Sequence, residues 1–141
     1  MDWIIDSCFC NKSCFGFVIL NKGFFQLARN ASKNSNHRVK IGCVIALHGK
    51  PVSIGWNVVK THPIYTAGSF RQSIHAEIKA VITARCDLAG GIAYVYREYK
   101  NGMPAICKPC ALCYNILSEA GIKIVYYTVV EYPHWVKEKI R

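Results

Sequence analysis

The hydrophobic positions of this chain change period several times, and each change marks an element. In "FFQLARNASK" the residues Phe24, Leu27, Ala28 and Ala31 recur at helical spacing, which predicts a short amphipathic helix ending in the polar cluster "KNSNHR". "VKIGCVIALHGKPVSIGWN" is almost continuously apolar on either side of a turn at His48 to Lys50, and reads as a β-hairpin in a sheet covered on both faces. A long polar loop, "VVKTHPIYTAGSFRQS", separates it from a second helical stretch, Ile74 to Leu88, spaced through Ile78, Val81, Ile82 and Cys86 and stopped by Gly90 and Gly91. "IAYVYREY" predicts a third strand, Cys110 to Ala120 a third helix closed by Gly121, and "IKIVYYTV" a fourth strand.

Alternating β and α elements after an initial hairpin imply an α/β fold, a three-layer α/β/α sandwich around a mixed five-stranded sheet. The third and fourth strands, joined through a helix, are expected to be parallel. Between Thr128 and "HWVKEKI" lie about five residues, too few for a crossover helix of roughly a dozen. The last segment is therefore expected as an antiparallel edge strand, with a short C-terminal helix as the alternative. The 141 residues suit one domain, over residues 23–141. Residues 1–22 fit no later pattern and read as an extension, an extra helix or a misassigned start; their apolar run "CFGFVIL" is too short to span a bilayer.

Charge narrows the partners. The net charge is +10, and from Ser7 to Ala76 there are nine basic residues and no acidic one. Such a field attracts a phosphate-bearing ligand, a nucleotide or a nucleic-acid strand, although a solvated basic surface accounts for it equally well. Tyr65, Phe70 and Tyr94 are candidates for stacking bases, with core packing the better account of Tyr94. The eight cysteines are crowded at Cys8, Cys10 and Cys14 and again at Cys107, Cys110 and Cys113, whereas a secreted framework spreads them over loops. That placement points to a reducing cytoplasm and a metal site, with no membrane partner.

The metal chemistry comes from two stretches. In "KPCALC" the thiols of Cys110 and Cys113, at i and i+3 on one helix face, can grip one ion. Pro109 places both at a helix start, where backbone N–H groups and the helix dipole favour thiolates. In "HAEIKAV" His75 opens its own helix, and two helices packed side by side on a parallel sheet would bring it to the thiols. Three protein ligands leave zinc's fourth position to water, and Glu77 is near enough to take that water's proton without ligating. Alone, a His-x-Glu at a helix start usually caps, and a Pro-Cys-x-x-Cys can be a redox pair or half of a zinc ribbon. Together they are far more specific, with Cys107 a second-choice ligand.

These residues resemble the signature of the zinc-dependent cytidine and deoxycytidylate deaminase superfamily, His-x-Glu followed by Pro-Cys-x-x-Cys, matched here by His75, Ala76, Glu77 and by Pro109, Cys110, Cys113. The resemblance runs from about Phe24 to the C-terminus, and "KTHP" is similar to a stretch in phage and viral members. It implies a zinc ion on His75, Cys110 and Cys113. A water activated there attacks the carbon bearing the amino group, Glu77 shuttles protons and ammonia leaves. Ala76 would offer its backbone to the pyrimidine, Asn57 of "GWN" would contact sugar or base, and Lys60 and His62 would contact phosphate or sugar. The implied activity is hydrolytic deamination of cytidine, deoxycytidine or dCMP to the uracil form, in a dimer or tetramer whose subunits complete one another's pockets. The antiparallel ending suits the free-nucleoside branch, whereas the basic charge suits phosphorylated substrates. Two alternatives stay open, deamination within single-stranded DNA or RNA, and a noncatalytic zinc-stabilised nucleic-acid-binding module, for which Glu77 would have no use. The sequence leaves open whether the base is cytosine, adenine or a modified pyrimidine.

Overall fold

The computed structural model describes residues 23–59 and 73–140. Lys60, His62, Tyr65, Phe70 and the segment 1–22 lie outside the described residues. Helix α1 covers residues 23–32. Strands β1 (Ile41–Leu47) and β2 (Lys50–Trp56) follow, then the two-residue strands β3 (Val58–Val59) and β4 (Ser73–Ile74). Helix α2 is Ala76–Thr83, β5 Ile92–Arg97, α3 Ala111–Glu119, β6 Ile124–Thr128 and β7 Trp135–Lys139.

The sheet order is β2-β1-β5-β6-β7. The β5–β6 pair is parallel, and β1–β2, β1–β5 and β6–β7 are antiparallel. The hairpin turns on His48 and Gly49, both at positive φ (53° and 78°), the left-handed pair whose twist matches that of the flanking strands. The last strand is the expected antiparallel edge, because the link after Thr128 is too short to cross over.

Two apolar layers hold this sheet between helices, as alternation along a doubly covered strand requires. On one face Phe24, Phe25 and Ala28 of α1 pack on Val44, Tyr94 and Tyr126. On the other, Ala76 and Ala80 of α2 and Leu117 of α3 pack on Cys43, Ile45 and Val95. Gly55 sets the depth of α2: a Cβ there would come within 2.5 Å of the Ala76 carbonyl and the Ala80 nitrogen, so only a bare backbone allows this approach.

The structure corrects one expectation. Helix α2 does not run to Leu88 or stop at Gly90 and Gly91; it ends at Thr83, and Ala84 is already extended (ψ 138°). Ile82 is 47 % exposed and Cys86 is exposed, so two positions that carried the helical period face solvent. Beyond Ala84 an Asp87 carboxylate accepts from the Ala89 N–H, and Gly91 N–H bonds to the Leu88 carbonyl, a local turn that competes with helix and delivers the chain to β5. Tyr94 has the core packing expected of it: it is buried, stacked between Phe24 (4.8 Å) and Tyr126 (4.9 Å), and its ring is not available to a base. Among the described residues no helix is long and apolar enough to cross a membrane.

Candidate metal centre

Helices α2 and α3 each run back to a strand of the parallel pair, so their N-termini lie at the same end of the sheet. His75 is the N-cap residue of α2 and Cys110 that of α3, both extended (ψ 152° and 171°), and neither side chain caps its helix. A capping role for His75 is thereby removed. The short β3–β4 ladder, Val58 against Ile74, further ties the backbone beside Asn57 to that beside His75.

The His75 Nδ1 lies 3.2 Å from the Cys113 Sγ and 3.6 Å from the Cys110 Sγ. One ligating atom from each of the three residues falls within 4.8 Å of the others. Ligand atoms around a tetrahedral zinc stand roughly 3.5 Å apart at ordinary Zn–N and Zn–S lengths, so the spacing fits. The electrostatics ask for a cation as well. Burial pushes the Cys113 thiol up, and the negative groups of Glu77 and Cys110 add to it. Glu77 is buried, and burial raises its pKa against the opposing effects of its own backbone N–H, a hydrogen bond with Cys113 and the nearby His75.

His75, Ala76, Glu77 and Cys110 line a cavity of about 550 Å³. Cys107 also lines it, outside the ligand group: its Sγ lies 3.2 Å from the Val95 carbonyl and 3.0 Å from the Thr128 hydroxyl. Burial holds that thiol up at about 12, despite its hydrogen bonds with Thr128. Asn57 reaches the cavity wall with its amide engaged by backbone, Oδ1 accepting from the Ile41 N–H (2.8 Å) and Nδ2 donating to the Val39 carbonyl (2.5 Å).

Three titratable lining residues escaped the sequence reading: His37, Arg97 and Lys108. Lys108 adjoins Pro109 and Cys110, a signal that was there to be read. The other two come from the loop before β1 and the end of β5, and only the sheet order puts them here. Arg97 donates to the Ile106 carbonyl at 3.1 Å. Lys108 pairs with Glu138 at 3.6 Å, and the Tyr114 hydroxyl donates to the same carboxylate.

The family model for the cytidine and deoxycytidylate deaminase zinc-binding region matches residues 10–129. The chain belongs to this family. Its fold is that of solved deaminases: a dCMP deaminase from the cyanophage S-TIM5 in apo form (22% identity, TM-score 0.58, covering 79% of this chain and 83% of that one). A cytidine deaminase from Burkholderia pseudomallei superposes with TM-score 0.63 at 17% identity, over 84% of this chain and 91% of that one. No curated protein sequence matches the chain. For this deaminase-family chain the cofactor is zinc, and His75, Cys110 and Cys113 form a group that could hold it.

Proposed function

We propose that the protein hydrolyses the amino group from a cytosine nucleoside or nucleotide (cytidine, deoxycytidine or dCMP), releasing ammonia and the uracil form. The observation that carries this reading is the placement of buried Glu77 on the same cavity wall as His75 and Cys110. When bound by His75, Cys110 and Cys113, zinc supplies the Lewis acidity that makes water a nucleophile near neutral pH. Glu77 takes a proton from the attacking water; its burial favours the protonated form, and it hands the proton to the leaving nitrogen. Ala76 presents its backbone to the pyrimidine, and Asn57 shapes the wall by holding Val39 and Ile41.

Arg97 and Lys108 on the cavity wall support a phosphorylated substrate over a free nucleoside. The cyanophage dCMP deaminase of the same fold was solved with dCMP and dUMP. Lys60 and His62 would add contacts to phosphate or sugar. We place the reaction in the cytoplasm, where reducing conditions keep Cys110 and Cys113 as thiols.

Ammonia release by the zinc-loaded protein on cytidine, deoxycytidine and dCMP tests this. Turnover is expected on at least one, with Glu77→Gln lowering kcat by about 10²–10⁴-fold at unchanged zinc content. Full activity in that variant sinks the mechanism, and silence on all three sinks the reading.

A further inference from the structure

A second groove, of about 450 Å³, adjoins the cavity. Arg97 and Val39 line both. Lys33, Arg38 and Lys40, from the segment joining α1 to β1, form one wall, and Tyr99 and Lys100, just beyond β5, form the other. With Arg97 this makes five cations gathered from two parts of the chain far apart in sequence.

Like charges brought together repel, so such a cluster is stabilised by an anion. The described residues do not supply it. Glu98 lines the groove too, but it is engaged by Arg29 (3.3 Å) and the Tyr96 hydroxyl (3.2 Å). No carboxylate among the described residues pairs with Lys33, Arg38, Lys40 or Lys100. Tyr99 is 46 % exposed, with the Arg97 guanidinium 5.9 Å from its ring centroid.

A cavity of about 550 Å³ already suits one nucleotide, so the adjoining groove is room for more than that. A phosphate chain alone would use the cations and leave the ring idle. A strand uses both, because its phosphates follow a basic groove while bases stack on exposed aromatics. A single strand is favoured over a duplex, since a base must leave its stack to enter a concave site and an unpaired base does so at least cost. We propose that this groove is a track for single-stranded nucleic acid, with phosphates on its cations and one base against Tyr99, which delivers a neighbouring cytosine to the cavity. What then happens to that cytosine rests on the deaminase reading; the binding does not.

The test uses the zinc-loaded full chain carrying Glu77→Gln and a labelled single strand of about ten nucleotides with a central cytosine, a length spanning typical site sizes. Affinity is read by anisotropy between about 50 and 200 mM salt, with dCTP as competitor. We expect binding that falls with salt at a log–log slope of about −3, as four or five phosphate contacts to a single strand require. Adding Tyr99→Ala should weaken it roughly tenfold and Tyr99→Phe should restore it. Lys33→Ala with Lys100→Ala should flatten the slope by about 1.4. Lys137→Ala, the same charge lost on β7, should change neither. Thermal unfolding confirms that each variant is folded, and Lys100→Ala alone, with about half that flattening, serves if the double variant is not. The proposal is overturned by absent binding, by an equal loss in Lys137→Ala, or by dCTP displacing the strand at matched concentration, which would assign the groove to a triphosphate. Monomer turnover by the wild type is a separate readout: turnover without strand binding overturns the groove alone, and strand binding without any turnover overturns the deaminase reading alone.

Discussion

Cys107 and Cys110 stand three positions apart and have opposite chemistry. Cys110 opens a helix, is exposed, and lies 3.6 Å from the His75 ring nitrogen. Cys107 is buried against the sheet, where its thiol bonds Val95 and Thr128 and is held up at about 12. Zinc takes a thiol that can reach it, and the Cys107 Sγ is held on Val95 and Thr128, outside the group formed by His75, Cys110 and Cys113. Metal analysis should therefore find Cys110→Ala depleted of zinc and Cys107→Ala still loaded at one ion per chain. The reverse pattern would make Cys107 the ligand. Losing the buried Cys107 bonds should instead lower unfolding stability by about 1 to 2 kcal/mol.

At the scale of elements, the centre depends on how closely α2 lies on β2. Gly55 allows that contact, and both His75 and Glu77 sit at the end of α2 that it positions. Gly55→Ala would drive a methyl into helix backbone, which cannot rotate away as a side chain can. We expect a loss of about 1–3 kcal/mol in denaturant unfolding and a fall in kcat with zinc still bound. Unchanged stability and kcat would show the contact to be slack. The Ser53 hydroxyl, donating to the Ala80 carbonyl at 2.5 Å, fastens the same helix near its far end.

For the whole molecule, zinc would join two elements whose ligands are 35 residues apart, His75 and Cys110. An ion bound by the folded chain and not by the unfolded one raises stability by mass action, by about 2.7 kcal/mol at a hundredfold excess over Kd. Chelation should lower Tm in calorimetry, and added zinc should restore it in a concentration-dependent way. A Tm indifferent to zinc would mean that the three side chains do not close on the ion. The protein's charge acts at this scale too. Its basic residues are scattered in sequence, and folding collects Lys33, Arg38, Lys40, Arg97 and Lys100 beside the cavity.

Much of this architecture is local and was legible in the chain: the period of "FFQLARNASK", the turn at His48 and Gly49, the N-terminal placement of His75 and Cys110, and a final link too short to cross over. Each depends on neighbours a few residues away, through backbone conformation and side-chain spacing. The end of α2 was misread because exposed Ile82 and Cys86 mimic a buried stripe, and periodicity does not report which face the sheet covers. Cys107, Asn57, Arg97 and Tyr99 could not be placed from sequence, since what each touches belongs to another strand or loop. The sequence by itself determined the elements and the donor set. Only the tertiary structure decided which donors converge and which cations meet at the cavity, because strand order and helix depth are set by long-range packing that no local pattern encodes.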